Sequence, residues 1–141
     1  MSIEIGSTMN GLLWARDINN PGKLDVLFVG QNPSAKPASK NTTFDRLNEW
    51  TADLGIDMYG FVNACSVPGK VTKAQVDLDN LRKAVYSFSK VVALGNFASE
   101  ALTSIGCDHF KLPHPSPLNR QINDKQFISN ALSQCRQYLS K

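Results

Sequence analysis

Asn32 and His114 are the two side chains of this sequence that best combine reactive chemistry with a rigid setting. Asn32 follows Gly30 by two residues and directly precedes Pro33, so a stiff backbone holds its amide on a short arm. Such an amide can accept a hydrogen bond from a water molecule and donate one to a neighbour, but it cannot act as a full base at neutral pH. An ordinary turn after a strand has the same local pattern, and both interpretations stay open.

His114 lies in KLPHPSPLNR, residues 111–120, where three prolines alternate with other residues. Each proline fixes its own φ angle and restricts the residue before it, which holds His114 and Ser116 in extended positions ahead of Leu118. This stiffness lowers the entropy that is lost when a side chain is held against a partner. The alternative is a proline-rich connector in which His114 is satisfied locally and Leu118 turns into the core.

A second amide, Asn63, ends the apolar run YGFVN. With one donor and one acceptor, its side chain can read the polar edge of a planar ligand, and it can equally tie a loop by bonding its own backbone. Cys65, two residues further on, invites interpretation as a nucleophile. Nothing local would lower the pKa of its thiol, so a small buried hydrophobic residue is the better interpretation.

The composition is that of a globular chain with one domain, residues 1–141, of which 42% are hydrophobic and 19% charged. No apolar run is long enough to span a bilayer, and MSIEIGSTMN lacks the basic and apolar regions of a signal peptide. We therefore expect no membrane partner and a cytoplasmic or nucleoid-associated location. The three cysteines form no CxxC pair, which argues against a disulfide framework or a cysteine-rich zinc site and excludes a four-cysteine iron–sulfur cluster.

The charge balance is mildly basic, with a net charge of +3 and an isoelectric point of about 8.8. Such a balance is compatible with a nucleic-acid partner but does not require one. The positions of the basic residues along the sequence are more informative than the net charge. Several of them fall in or next to three segments that we predict below to be loops. These residues are Lys36, Lys40, Lys70, Lys73, Lys111 and Arg120. Lysines scattered over the surface are the competing interpretation.

Strand-like and helix-like segments alternate along the chain. The apolar runs that predict strands span 24–30, 59–64, 90–95 and, more weakly, 109–112. Apolar residues at helical spacing predict helices over 43–54, over 77–88, between Asn96 as N-cap and Gly106 as C-cap, and along an apolar face from Phe127 to Leu139. This alternation predicts a three-layer α/β/α sandwich with a central, mostly parallel four-stranded sheet.

The predicted architecture also indicates where a ligand would bind. In open sheets of this class, ligands bind outside the carboxyl ends of the strands. That rule narrows the search to three segments, 30–43, 63–76 and 112–121. They hold Asn32, Asn63, His114 and the basic residues noted above except Lys111, which directly precedes the third segment.

Taken together, these residues resemble the uracil-DNA glycosylase superfamily. HPSPLN, residues 114–119, is closely similar to the HPSPLS motif of the uracil-specific family, and GQNPS, residues 30–34, resembles its GQDPY motif with two changes. An aromatic residue is expected twelve or thirteen positions after the acidic or amide residue of that motif, and Phe44 lies twelve after Asn32. Asn63 matches the asparagine expected at the end of the next strand. The resemblance runs over nearly the whole chain from about residue 24.

The resemblance implies a role for each matching residue in hydrolysis of a glycosidic bond. His114 matches the residue that hydrogen-bonds O2 of the departing base and stabilises its developing negative charge. Asn32 matches the residue that orients the attacking water, and Phe44 would stack on the base while Asn63 reads its uracil-like edge. Leu118 matches the wedge that fills the gap left in the duplex when the target nucleotide is extruded.

The remaining expected site residues contact the base or the DNA backbone. Gln31 and Ser34 are expected beside the base. Ser116 and Ser66 are expected phosphate contacts. The electrostatic rim is expected to consist of Lys36, Lys70, Lys73 and Arg120. The resemblance implies a monomer that acts on DNA and needs no metal and no organic cofactor.

Two positions depart from the uracil-specific motif. Asn32 replaces its aspartate, as in the mismatch-specific and thymine-DNA glycosylases and the single-strand-selective monofunctional uracil glycosylases. Because an amide cannot carry the negative charge that would support a cationic sugar, we expect a slower enzyme. Ser34 replaces the tyrosine that blocks bases substituted at C5, so the pocket is expected to accept 5-hydroxymethyluracil or another modified pyrimidine.

The leading hypothesis is therefore a monofunctional DNA glycosylase of base excision repair that removes uracil or a C5-modified uracil. A second hypothesis is an N-glycosidase that acts on a free pyrimidine nucleoside or nucleotide. A third is a catalytically weak protein that binds DNA or modified bases. A generic nucleotide-binding α/β domain leaves HPSPLN unexplained, and a Cys65–His114 nucleophile pair lacks a group to orient the histidine.

Overall fold

A computed structural model describes residues 3–7, 13–17, 26–31, 42–56, 58–65, 71–115 and 123–141. Its strands are β1 Ile3–Ser7, β2 Leu13–Asp17, β3 Val26–Gly30, β4 Met58–Asn63, β5 Lys90–Leu94 and β6 Phe110–Leu112. Its α-helices are α1 Thr42–Leu54, α2 Leu78–Tyr86, α3 Asn96–Ser104 and α4 Lys125–Leu139, and a 3₁₀ turn spans Lys73–Gln75.

The strands form one sheet in the order β1-β2-β4-β3-β5-β6. Strands β4, β3, β5 and β6 are mutually parallel, which confirms the predicted four-stranded parallel core of the sheet. A hairpin of β1 and β2 extends the sheet in antiparallel fashion beyond β4. The sequence did not indicate this hairpin, because IEIGS and LWARD are short and mix charged, small and apolar residues without a continuous apolar run.

Two hydrophobic cores lie on opposite faces of the sheet and confirm the three-layer sandwich. The alternation of side chains along β3 sends Phe28 to one face and Leu27 to the other, and both side chains are fully buried. Helices α1 and α4 cover the first face, where Leu47, Trp50 and Leu132 join the core. Helices α2 and α3 cover the second face with Leu81, Ala98 and Leu102.

Helix ends are fixed mainly by short polar side chains and glycines. Asp124 caps α4 by accepting hydrogen bonds from the backbone N–H groups of Gln126 at 3.0 Å and Phe127 at 3.2 Å. The predicted N-cap Asn96 is wrong by one residue, because Gly95 is the N-cap of α3 and Asn96 is its first helical residue. Gly95 has a φ of +92°, a backbone conformation that favours glycine. The predicted C-cap Gly106 is also wrong by one residue, because Ile105 is the C-cap of α3 and Gly106 follows it with a φ of +70°.

The order of the parallel strands places a crevice near the middle of the sheet. From β3 the chain first crosses to β4 on one side and later returns to β5 on the other side of β3. In open α/β sheets, ligands bind at the carboxyl ends of the strands where the connections leave in opposite directions, which in this sheet is between β3 and β5. In the described parts of the chain, none of the helices combines the length and the apolar character that a bilayer crossing requires.

Candidate active site

The carboxyl ends of the four parallel strands bring the described parts of the three predicted loops to one edge of the sheet. Gln31 follows β3 directly, and Asn63 is the last residue of β4. Gly95 follows β5, and His114 lies two residues after the end of β6. Across this edge the order of these residues is Asn63, Gln31, Gly95 and His114, as the strand order dictates.

Backbone hydrogen bonds continue beyond the strand ends and fix the first two loops against each other. The N–H of Ala64 donates to the carbonyl oxygen of Gly30 at 2.9 Å, and the N–H of Cys65 donates to that of Gln31 at 2.9 Å. The N–H of Asp77 in turn donates to the carbonyl oxygen of Ala64 at 3.0 Å. The backbone that follows Asn63 is therefore hydrogen-bonded to β3 on one side and to the start of α2 on the other.

The side chain of Asn63 lies over Gly30 on the neighbouring strand. A Cβ atom at residue 30 would lie 2.6 Å from Oδ1 of Asn63 and 2.9 Å from Cζ of Phe61. An amide and an aromatic ring thus occupy the space that any other side chain at residue 30 would need. Phe61 is half-buried, and it was not singled out in the sequence because it reads as one more apolar residue of a strand.

His114 packs on Gly95 at the other end of the crevice. A Cβ atom at residue 95 would lie 3.2 Å from Cβ and 3.5 Å from Cδ2 of His114. On either side of His114, the side chains of Leu112 and Pro115 are fully buried, and the N–H of Gly95 donates to the carbonyl oxygen of Leu112 at 2.8 Å. The backbone of His114 is therefore held in place by the residues that precede and follow it, and its ring packs on Gly95.

Asn63 and His114 approach the same crevice from its two sides. The side chain of Asn63, at the end of β4, packs over Gly30 of β3. The side chain of His114, after the end of β6, packs on Gly95, which follows β5. Strands β3 and β5 are neighbours, so the two glycines are separated laterally by only about 5 Å. The two polar groups therefore lie against glycines on neighbouring strands, at the same edge of the sheet.

Burial lowers the pKa of His114 from its ordinary value of 6.5. The imidazole is thus neutral at pH 7, with one N–H to donate and one nitrogen to accept. A neutral, anchored N–H donor can stabilise negative charge that develops on a ligand oxygen without transferring its proton.

Acidification is expected to destabilise the wild-type protein more steeply than a His114→Gln variant. In the unfolded chain His114 titrates near its ordinary 6.5, whereas burial lowers its pKa in the folded chain. The unfolded state therefore binds the proton first, so the stability that neutral His114 contributes is complete above about pH 6.5 and is lost as the pH falls through the folded pKa. Urea unfolding of both proteins between pH 7.5 and pH 5 measures this, and parallel stability curves would contradict it.

Several predicted site residues lie outside the described part of the chain. These are Asn32, Ser34, Lys36, Ser66, Lys70, Ser116, Leu118 and Arg120. Phe44 lies in the first turn of α1, one turn before the buried Leu47, and only its backbone is described. Gln31 is half-buried beside the carboxyl end of β3.

Lys73, in the 3₁₀ turn that precedes α2, forms an ion pair with a residue of α3. Its Nζ lies 3.3 Å from Oε2 of Glu100 on α3, and both side chains are largely exposed. Exposed ion pairs of this kind are weak, so a phosphate can compete for the lysine. Among the described residues, no group of three histidine, cysteine, aspartate or glutamate side chains is placed to hold a metal ion.

Cys65 is unsuited to act as a nucleophile. Its side chain is fully buried, and burial raises the pKa of its thiol. The thiolate, which is the reactive form, is therefore disfavoured at neutral pH. This geometry argues against the Cys65–His114 pair.

A comparison with known protein families identifies the family to which the chain is similar. A family model described as the uracil DNA glycosylase superfamily matches residues 17–139, which is most of the chain and includes β3 to β6 with all four helices. No curated protein matches the chain.

Proposed function

Since the chain belongs to the uracil DNA glycosylase superfamily, we propose that it is a monofunctional DNA glycosylase that removes uracil or a C5-modified uracil from DNA. Activity of the uracil-DNA glycosylase type, which is hydrolytic and directed at damaged bases in DNA, follows from the family. The observation that carries the proposal further is the neutral His114 anchored on Gly95, with Asn63 across the same crevice.

The proposed reaction breaks the bond between C1′ of the sugar and N1 of the base. The target nucleotide is first extruded from the stack, because its glycosidic bond is out of reach inside a duplex. The bonding electron pair leaves with the base, and negative charge develops on O2. The N–H of His114 donates a hydrogen bond to that oxygen and stabilises the charge as it forms. Water then adds its oxygen to C1′ and releases one proton to the solvent, while the base anion takes up a proton after it departs.

The other groups of the pocket are assigned from the family motifs. Asn32 orients the attacking water, and its amide makes the enzyme slower than one with aspartate, because no negative charge supports the cationic sugar. Phe44 stacks on the base, and Asn63 pairs with its N3–H and O4 edge through one acceptor and one donor. Gln31 and Ser34 lie beside the base, and the small Ser34 leaves room for a C5 substituent such as hydroxymethyl.

Residues around this pocket are assigned to contacts with the DNA strand. Leu118 enters the gap left by the extruded nucleotide, while Ser116 and Ser66 bind phosphates. The cations of the rim are Lys36, Lys70, Lys73 and Arg120. Of these, Lys73 must exchange its partner Glu100 for a phosphate, so we assign it the smallest contribution. The protein acts as a monomer without a metal or an organic cofactor.

A base-release assay across a panel of substrates tests the proposal. Oligonucleotides with one uracil or one 5-hydroxymethyluracil, single-stranded and double-stranded, are incubated with stoichiometric protein beside the free deoxynucleotides. We expect alkali-labile sites in the oligonucleotides and less release from Asn32→Ala and His114→Ala variants. Release from free nucleotides alone would favour the N-glycosidase of the second hypothesis, and tight DNA binding without release would favour a binding protein.

A further inference from the structure

We propose that a groove beside His114 binds an unpaired nucleotide that flanks the target base. This inference rests on the proposed function, which supplies the target base that the bound nucleotide flanks. The binding that it predicts can be measured without base release. The groove lies between β6 and α4, is called here the β6–α4 groove, and has a volume of about 670 Å³. A volume of this size is typical of small-molecule sites and is ample for one nucleotide.

The β6–α4 groove is continuous with the candidate active site. Gly95 and His114, which were assigned to the candidate active site, also line the groove. A strand whose target base reaches His114 therefore has its neighbouring nucleotide within reach of the groove. Continuity of this kind favours a segment of the same ligand over an unrelated molecule.

An aromatic ring offers a stacking surface on the helical side of the groove. Phe127 of α4 lines the groove and is 39% exposed, although it carries a large apolar ring. Its backbone is fixed, because its N–H donates to the capping carboxylate of Asp124 at 3.2 Å. Exposed aromatic rings in nucleic-acid grooves bind bases by stacking, with little dependence on sequence.

Amide side chains on α4 supply groups that can bind the edge of a base. Asn130 and Gln134 are four residues apart and therefore share one face of the helix, where both line the groove. Both are exposed, and Oδ1 of Asn130 accepts a hydrogen bond from Nε2 of Gln126 at 3.1 Å. Each carboxamide carries donors and an acceptor, which is the set that a base edge requires.

One cation lies at the edge of the groove, on the α3 side of β6. Lys111 of β6 is exposed, and its Nζ donates to Oδ1 of Asn96, the first residue of α3, at 2.9 Å; both residues contribute to the lining of the groove. No carboxylate is present among the described residues that line it. A cation at the edge of a groove whose described lining has no carboxylate can bind a phosphate group.

A second groove, of about 840 Å³ between α1 and α4, lacks this complementarity. It is lined by Glu49 and Asp53 as well as by Arg46, Lys125 and Arg136, so its charges are mixed. Carboxylates would repel a phosphate backbone, and this groove does not include His114. The difference favours the β6–α4 groove as the site for a nucleotide.

Equilibrium binding of short single strands tests the inference. The probes are a trinucleotide and a nonanucleotide with a central 2′-fluorodeoxyuridine, whose fluorine disfavours positive charge on the sugar and keeps the strand intact. Fluorescence anisotropy gives the affinity of wild type, Phe127→Ala, Asn130→Ala/Gln134→Ala and Lys111→Met. A matched control is Tyr86→Ala, which removes a 93% exposed ring from α2 on the other face of the sheet.

We expect wild type and Tyr86→Ala to bind the nonanucleotide at least 10-fold more tightly than the trinucleotide. Phe127→Ala should lose about 10-fold in nonanucleotide affinity, which is the usual size of one stacking contact. Lys111→Met should reduce the slope of log affinity against log salt by about one, as expected for one lost phosphate contact. Unchanged nonanucleotide affinity in all three groove variants, with their thermal stability preserved, overturns the inference.

The test separates this inference from the proposed function. If the protein binds the nonanucleotide in a manner that depends on Phe127 but releases no base, the groove stands and the glycosylase proposal fails. If base release occurs but the groove variants bind and react as wild type does at both lengths, the groove inference fails alone. Binding of a peptide or of a second copy in place of the strand would also overturn it.

Discussion

Replacing Gly95 with alanine is expected to reduce single-turnover base release by about 100-fold, because it displaces His114 without touching the reactive group itself. The new Cβ atom would lie 3.2 Å from Cβ of His114, closer than most packed side chains tolerate. A shift of about 1 Å in a group that contacts the transition state can reduce the rate by about that factor. The φ of +92° and ψ of 174° lie in a region that is essentially reserved for glycine, so alanine adds a backbone strain of about 1–3 kcal/mol to the folded state.

Gly106→Ala is the matched control for this prediction. Gly106 also has a positive φ, of +70°, but a Cβ atom there would meet nothing within 4 Å. Both variants should lose free energy of unfolding, measured with urea, and Gly95→Ala should lose more because it adds the contact with His114. Under conditions in which both variants are folded, only Gly95→Ala should lose base release. Equal rates in both variants would show that contact with Gly95 does not position His114 for the reaction.

The second large effect is expected from Gly30→Ala, which should reduce kcat/KM for uracil by about 100-fold. Its Cβ atom would lie 2.6 Å from Oδ1 of Asn63 and 2.9 Å from Cζ of Phe61, so the amide or the ring must move. The backbone of Gly30 is not in the positive-φ region, and the effect is thus steric. The loss should appear together with weaker discrimination between uracil and cytosine, because Asn63 is the group assigned to read the base edge.

A double-mutant cycle identifies the residue through which Gly30→Ala acts. If Asn63 mediates the effect, adding Gly30→Ala to an Asn63→Ala variant should cost much less than adding it to wild type. Additive losses would instead assign the effect to Phe61 or to a general disturbance of β3. Either result is read from kcat/KM and from the melting temperature of the four proteins.

The fold was predictable where the sequence carried an unambiguous pattern. LDVLFVG and KVVALG are apolar without interruption because β3 and β5 are buried on both faces, and both strands lie where the runs predicted them. The hairpin β1–β2 escaped prediction, since a short strand at the margin of a sheet needs no continuous apolar run. Asn96 was a reasonable N-cap by residue type, but the turn from β5 into α3 requires a positive φ, which places the cap at Gly95.

Individual site residues could be proposed from sequence motifs, whereas the contacts that position these residues could not. The histidine loop and the amides at strand ends were found from residue type and order alone. The contacts of His114 with Gly95, and of Asn63 with Gly30, join residues that are far apart in the chain, so only the parallel sheet brings them together. The pairing of Lys73 with Glu100 was equally invisible, because it links a loop to a helix that the sequence pattern does not orient.

The central claim is that His114 stabilises a departing uracil, and one measurement tests it most directly. Wild type and His114→Ala are compared for release of uracil from a single-stranded oligonucleotide at stoichiometric protein, with the folding of both checked by thermal unfolding. We predict release by wild type and a rate about 100- to 1,000-fold lower in the variant, the usual effect of losing one oxyanion-type donor. Equal rates in the two proteins, or no release by wild type, would contradict the claim.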